Sequence, residues 1–145
     1  MGSVASDEDV PGAGPRYLPI AEHGLIGDLR SVALVGTDGT IDWYCCPAFD
    51  APSVFAAILD AERGGAFELA ASVPAKTKQF YFPDTNVLIT RFFTEDGVGD
   101  VQDFMPVNGG AVEAERHRLI RRVVCVRGSI PFRTRVAPRL SLIHI

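Results

Sequence analysis

The 145-residue chain has few cysteines, no long apolar run and no acidic residue in its last 30 positions. Its three cysteines form no Cys-x-x-Cys pair and no zinc-type spacing, so they predict buried thiols in a reducing compartment. No apolar stretch approaches the roughly 20 residues that cross a bilayer. The N-terminal segment is acidic, whereas a secretory signal is basic and then apolar. We therefore expect a cytoplasmic protein with no metal ion and no membrane partner. The cysteines are Cys45, Cys46 and Cys125.

The sequence also lacks the short motifs of common catalytic and cofactor sites. It contains no GxSxG, GxGxxG or GxxxxGK[ST], and its three histidines are dispersed. A glycosidase needs two carboxyl groups that face each other about 5 to 9.5 Å apart. Proximity in sequence does not establish that geometry. We expect structural roles for the neighbouring carboxylates, no catalytic residue and no cofactor. The neighbouring pairs are Asp38 with Asp42, Asp100 with Asp103, and Glu113 with Glu115.

Charge is divided along the chain. Residues 1–115 hold all 18 acids and six bases, a balance of −12, whereas residues 116–145 hold eight arginines and no acid, a balance of +8. The arginines are interleaved with aliphatic residues, which predicts strand faces that pair with the acidic remainder or with a neighbouring domain. Nucleic-acid binding is the alternative interpretation. Because no RNP-like aromatic motif, helix-turn-helix pattern or lysine-rich arm supports it, we expect no nucleic-acid partner.

From Tyr17 onward the sequence is typical of an all-β sandwich, with short strands separated by turn signals. Asp38-Gly39 and Asp96-Gly97 each predict a hairpin. The segment Arg127-Gly128-Ser129 predicts a third hairpin. Strands are predicted over Ser31–Val35, Ile41–Cys45, Ala66–Ala70, Lys76–Phe82, Val87–Phe93, Val98–Phe104, Arg118–Val126 and Ile130–Val136.

One helix and two irregular ends complete the prediction. Ser53 is a plausible N-cap of a short helix over Val54–Ala61, which Gly64-Gly65 ends. Residues 1–15 lack periodicity, so we expect a flexible leader. Residues 140–145 read Leu-Ser-Leu-Ile-His-Ile, a string that the end of a transposase sequencing adapter encodes, so we expect a non-native tail. Residues 16–139 would then be an incomplete domain. The alternative interpretation of residues 140–145 is a genuine C-terminal strand.

Aromatic rings and carboxylates gather between Ile41 and Phe55. This segment holds the only Trp, a Tyr, two Phe and two Asp around a proline-rigid loop. Sugars stack their C–H faces on aromatic rings and donate hydroxyl protons to carboxylates, so a sugar site is one interpretation. Core aromatics with capping aspartates are the other. The candidate substrate-binding residues are Asp42, Trp43, Phe49 and Asp50.

Four segments resemble, in order, the N-terminal domain of bacterial glycoside hydrolase family 15, the glucoamylase-like and trehalase-like proteins. They are Ile20–Asp28, Ala33–Trp43, Phe49–Ala56 and Asp103–Val107, and the likeness runs from about Tyr17 to Arg139. The family's usual loop, Pro-Arg-Phe-Asp-Ser-Pro-Ser, resembles residues 47–53. Here Ala48 stands where that loop has arginine, so any contact made by the arginine is in question.

The resemblance implies a truncated β-sandwich of the supersandwich type that packs against a following (α/α)6 barrel. In such enzymes the barrel carries two glutamates, a general acid and a general base, and the α-glucosidic bond is hydrolysed with inversion. The chain would be the non-catalytic partner of that barrel, trehalase-like more than glucoamylase-like, with the loop over residues 43–50 forming a wall of the active site. A stand-alone carbohydrate-binding or structural sandwich is the alternative. The sequence indicates no oligomeric state.

Overall fold

Alternating apolar and polar residues form ten β-strands in the computed structural model, which describes residues 17–107 and 117–139. A three-residue 3-10 helix, Ile20–Glu22, precedes the first strand. The strands are β1 (His23–Gly27), β2 (Val32–Gly36), β3 (Thr40–Cys45), β4 (Ser53–Phe55), β5 (Ala66–Ala71), β6 (Lys76–Tyr81), β7 (Leu88–Phe93), β8 (Gly97–Phe104), β9 (Ile120–Gly128) and β10 (Phe132–Ala137). The all-β prediction is confirmed.

The strands form two antiparallel sheets. The first sheet has the order β1-β2-β3-β5-β10, with β4 paired to β3, and the second has the order β6-β7-β8-β9. Their facing sides bury two apolar clusters, one around Ile26, Ile41 and Leu88 and a smaller one around Phe92 and Val101. The described helix is too short to cross a membrane.

Both Asp-Gly hairpins form where the sequence predicts them, for different physical reasons. Gly39 has φ +85°, and its N–H donates to the Gly36 carbonyl at 2.9 Å. A side chain at this position would also collide with the Leu69 carbonyl, so only glycine fits. In the second hairpin, Gly97 faces close backbone, because an added Cβ would lie 2.6 Å from the Ser129 carbonyl oxygen.

The third predicted hairpin is wrong. β9 pairs with β8 in the second sheet, whereas β10 pairs with β5 in the first. Gly128, at φ +68°, and the following residues carry the chain from one sheet to the other. Phe132 then packs edge-on against Phe92 at a ring-centroid distance of 5.6 Å, so burying its ring in the space between the sheets favours this crossing over a local turn.

The predicted helix over Val54–Ala61 is also wrong. Its first residues belong to β4, where Phe55 pairs with Tyr44, and turns follow, with the Ala56 N–H donating to the Gly64 carbonyl at 2.9 Å. Phe55 and Ala56 are buried against β3. An eight-residue helix is marginal in water, and burial of the phenylalanine outweighs the capping signal at Ser53.

Arg121 ties the second sheet to the first. Its Nε donates to Asp103 Oδ1 at 2.7 Å and its Nη2 to Asp103 Oδ2 at 3.1 Å. The same guanidinium donates to the Phe67 carbonyl of β5 at 2.8 Å and to the Gly39 carbonyl, in the turn between β2 and β3, at 2.7 Å. Desolvation raises the pKa of Asp103, and the hydrogen bonds and charge of Arg121 act against that rise. Both side chains are almost fully buried.

The other carboxylates near one another in sequence also have structural partners. Asp100 receives a two-point hydrogen bond from Arg91, at 2.7 and 2.9 Å. Asp38 caps its own turn by accepting from the Thr40 N–H at 3.0 Å. The expected flexible leader (residues 1–15), the pair Glu113 and Glu115, and the expected tail (residues 140–145) lie outside the described residues.

The three cysteines have different surroundings. All are free thiols; Cys45 is buried, Cys46 is half-buried and Cys125 is exposed. The prediction of buried thiols is therefore wrong for Cys125, because β9 is an edge strand and its side chains stay accessible to solvent. Burial raises the pKa of the Cys45 thiol.

Candidate functional site

A bulge in β3 separates Asp42 from its neighbours. Ile41 pairs with Val35 and Trp43 with Leu34, so Asp42 is the extra residue. A bulge re-aims the side chain that it carries. The Asp42 carboxylate meets His23 of β1, with Oδ2 2.6 Å from Nε2. Among the described residues, the other carboxylate oxygen, Oδ1, is buried without a hydrogen-bond partner.

The His23–Asp42 pair shares a proton. Nδ1 of His23 lies 2.9 Å from the Pro19 carbonyl, which can only accept, so Nδ1 carries a proton. The 2.6 Å contact on the other side needs a second proton, held by the imidazolium or by the carboxyl. Burial lowers the pKa of His23, but the hydrogen bond and charge of Asp42, together with the backbone hydrogen bonds to Pro19 and Ile20, outweigh it and the net pKa is raised. Burial also raises the pKa of Asp42, against the effect of His23.

Phe49 lies in a shallow, mainly apolar groove of about 400 Å³. The loop that carries it follows a cis peptide bond between Cys46 and Pro47. The Phe49 N–H donates to the Arg30 carbonyl at 3.0 Å, which joins this loop to the β1–β2 turn. The groove is lined by Leu29, Arg30, Pro47, Ala48, Phe49 and His117.

The β1–β2 turn presents an exposed leucine beside Phe49. Asp28 Oδ1 accepts from the N–H groups of Arg30 and Ser31, at 2.9 and 2.8 Å, which closes the turn. Leu29, between Asp28 and Arg30, has φ +71°, a left-handed conformation that is costly for a residue with a side chain. Its side chain is 87% exposed. An apolar side chain held in a strained, exposed position is typical of a contact surface.

The structure separates the four residues predicted to bind substrate. Phe49 lines the groove and is 59% exposed. Asp42 is bound to His23 outside that lining, and Trp43 is half-buried in β3. Asp50 is exposed in the loop after Phe49. Ala48, at the position where the resembling family has arginine, lies in the groove lining together with Arg30.

Three of the groove residues were not predicted from the sequence. Leu29 and Arg30 belong to a turn without a Gly or Pro signal, and His117 lies far along the chain from Phe49. His117 Nδ1 is 4.0 Å from Asp28 Oδ2, so this histidine also contacts the β1–β2 turn. Only the pairing of strands brings these segments together. Within the described ranges, no group of three His, Cys, Asp or Glu side chains could hold a metal ion.

The family model and the individual relatives that match this chain agree on one family. The sequence model of the family described as "Trehalase-like, N-terminal" matches residues 12–144. A trehalase of Mycolicibacterium smegmatis is 34% identical over 132 residues, covering 79% of this chain. A trehalase of Mycobacterium tuberculosis is 32% identical over 132 residues with the same coverage, and one of Thermoplasma volcanium is 40% identical over 93 residues, covering 62% of this chain.

The matched relatives are much longer than this chain. The chain spans 19% of the length of each of the two mycobacterial proteins and 15% of the Thermoplasma protein. No solved structure matches it.

Proposed function

Because this chain belongs to the trehalase-like, N-terminal family, we propose that it is the non-catalytic N-terminal β-sandwich of a hydrolase that cleaves α-glucosidic bonds. The observation that carries the proposal is its match to proteins named trehalase over less than a fifth of their length. Trehalose is the proposed substrate, and a maltooligosaccharide, as in glucoamylase-like proteins, is the alternative. A cytoplasmic location belongs to the proposal and is supported by three free thiols.

The state of the carboxylates supports a non-catalytic role. Inverting hydrolysis needs one carboxyl group that gives a proton to the glycosidic oxygen and a second that activates water. Asp100 and Asp103 are held by arginines, and Asp42 is held by His23. We propose that the acid and base are two glutamates of a downstream (α/α)6 barrel of the family 15 type.

The groove around Phe49 is the proposed contribution of this chain to the active site. Phe49 offers an exposed ring to the C–H face of a sugar, and Arg30 lies in the same lining. Trp43 and Asp50 flank this loop in sequence, and we propose that they complete the wall with it. Asp42 would act through His23, by holding β1 and β3 together beneath the loop.

A chimera tests this function. In the M. smegmatis trehalase, the aligned N-terminal segment is replaced by this chain, and glucose release from trehalose is measured. We expect the chimera to hydrolyse trehalose and the isolated 145-residue chain to release no glucose from trehalose or maltose. Turnover by the isolated chain above a blank contradicts a non-catalytic role. An inactive chimera that is folded by circular dichroism contradicts the proposed partnership.

A matched pair of variants tests the active-site wall. Phe49 and Phe82 are both about half exposed, at 59% and 54%, but only Phe49 lines the groove. In the chimera, Phe49→Ala should raise KM for trehalose or lower kcat by at least about fivefold, and Phe82→Ala should change neither. Equal kinetics for the two variants count against the wall. Saturable trehalose binding by the isolated chain, without any effect in the chimera, favours the stand-alone carbohydrate-binding module.

A further inference from the structure

The space between the two sheets is open along β9 and β10. These are the edge strands of the second and first sheet, and only Ser129–Pro131 separate them in the chain. Val123 pairs with Val101 and Val136 pairs with Phe67, so each valine shares a face with a residue that points between the sheets. Val101 is fully buried, yet Val123 is 44% and Val136 is 56% exposed. Within residues 17–107 and 117–139, therefore, no side chain covers these two inward-facing valines.

The opening is bounded at both ends. Arg121 closes one end, because its guanidinium stacks 4.8 Å from the centroid of the Phe67 ring and bonds backbone of the first sheet. Phe132 closes the other end, over Gly99 and against the Phe92 ring. Between these ends the inward-facing residues of both strands are exposed. We call this opening the inter-sheet cleft and define it by Val123, Cys125, Thr134 and Val136.

The strands that border the inter-sheet cleft carry arginines on their outer faces. Residues 117–139 contain no acid. Of the arginines in the described part of β9 and β10, Arg121 and Arg133 pair with Asp103 and Glu68. Arg122 and Arg127 form no ion pair with a described residue, whereas Arg135 lies directly opposite Glu68 in the pairing of β10 with β5. A second copy of this surface would bring like charges together, whereas an acidic strand would neutralise them.

We propose that the inter-sheet cleft binds an extended strand of the longer polypeptide, supplied downstream of residue 139, with apolar side chains inward and acidic side chains beside the arginines. This rests on the proposed function, which places further polypeptide after this chain. The strand pairs with β9, which has nine residues and an edge with which no other described strand pairs. Edge N–H and C=O groups give such a strand its affinity, and the alternating pockets give it specificity.

The test uses the 145-residue chain and synthetic peptides. A fluorescein-labelled ten-residue peptide with alternating valine and glutamate is titrated with the chain, and fluorescence anisotropy is measured. We expect saturable binding that weakens at high salt. A peptide with lysine in place of glutamate should bind at least about tenfold more weakly. So should a peptide of the same composition with its valines and glutamates in separate blocks. Equal binding of all three peptides overturns the proposal.

Variants locate the binding surface. Val123→Glu puts a negative charge inside the inter-sheet cleft and should weaken binding at least about tenfold. The matched control is Val107→Glu, since Val107 is 57% exposed and lies outside both strands. If Val123→Glu does not fold by circular dichroism, the double change of Arg122 and Arg127 to Ala tests the basic outer face of β9 instead and should weaken binding. Unchanged binding in the folded variants refutes the assignment.

Two other occupants of the inter-sheet cleft, a second copy of this chain and a nucleic acid, would give different results. A dimer in sedimentation equilibrium that Val123→Glu dissociates identifies a second copy and overturns the downstream strand. Displacement of the peptide by single-stranded DNA, with DNA bound more tightly, overturns it in favour of nucleic acid. The proposed function can fail independently of this inference. If the peptide binds but the chimera is inactive, the proposed partnership with the trehalase is wrong and strand binding by the inter-sheet cleft still holds. If the chimera is active but the peptide does not bind, only strand binding by the inter-sheet cleft is wrong.

Discussion

Replacing Arg121 by methionine should strongly destabilise the chain. Methionine keeps much of the apolar length of arginine, but it removes the charge partner of a fully buried carboxylate. It also removes the donors to two backbone carbonyls, those of Phe67 in β5 and of Gly39 in the turn between β2 and β3. Breaking a buried pair by removing one partner costs about 3 to 5 kcal/mol, and each orphaned carbonyl adds about 1 to 3 kcal/mol unless water reaches it.

We therefore expect Arg121→Met to lower the free energy of unfolding by about 5 kcal/mol or more, which equals the whole stability of a domain at the lower end of the usual ~5 to 15 kcal/mol. Arg133→Met is the matched control. It breaks a contact of similar length, 2.6 Å to Glu68, but the Arg133 side chain is 62% exposed. An exposed pair contributes about 0 to 1 kcal/mol.

Urea unfolding of the 145-residue chain at pH 7, followed by Trp43 fluorescence and far-UV circular dichroism, measures the difference. A double variant, Arg121→Met with Asp103→Leu, should recover only part of the loss, because the two carbonyls stay unpaired. The effect should also shrink between pH 7 and pH 4. Burial raises the pKa of Asp103 and Arg121 acts against that rise, so the pKa is raised further in the folded variant, which gains more stability than the parent protein as the pH falls. A loss under about 1 kcal/mol, or one equal to that of Arg133→Met, would refute this reasoning.

Two further predictions concern the pH dependence and the first hairpin. Because the pKa of His23 is raised in the folded state, its protonation stabilises the fold below about pH 6.5, and this stability is lost as the pH rises through the pKa of the folded state. Asp42→Asn should abolish this loss of stability at higher pH. Melting temperatures that change in parallel for both proteins from pH 5.5 to 8.5 contradict this prediction. Gly39→Ala should lower the free energy of unfolding, measured in urea, by about 2 kcal/mol or more, because φ is +85° and the Leu69 carbonyl leaves no room for a Cβ. The control Thr37→Ala, in the same turn, should lower it by under about 1 kcal/mol. Similar losses in the two variants contradict backbone conformation as the cause.

Local signals predicted eight of the ten described strands and two hairpins, and they failed where a distant contact was stronger. The Asp38-Gly39 hairpin follows from a turn that only glycine can adopt, which is a property of four neighbouring residues. The helix expected after Ser53 has an equally local signal, but Phe55 is drawn to Tyr44 and Phe67. β1 carries two glycines in five residues and gave no strand signal at all, so only its pairing with β2 defines it.

The site shows the same division. An exposed aromatic residue in a proline-rigid loop was predictable, and Phe49 is such a residue. Its groove partners Leu29, Arg30 and His117 come from two other segments, and no spacing in the chain connects them to Phe49. Asp42 and Trp43 are adjacent in sequence, yet the bulge in β3 directs Asp42 to His23. Proximity in sequence therefore overstated how closely the four candidate residues are grouped.

The sequence by itself determined that this chain is all-β, where eight of its ten described strands lie, and that its arginines are concentrated near one end. Alternation and turn residues act over a few positions, so they can be recognised without the fold. The tertiary structure alone decided that β9 and β10 belong to different sheets, that Arg121 is buried between them, and that Val123 and Val136 face an open space. These facts depend on pairings between residues up to about 80 positions apart, such as Arg121 with Gly39, where burial and charge are balanced across the whole domain.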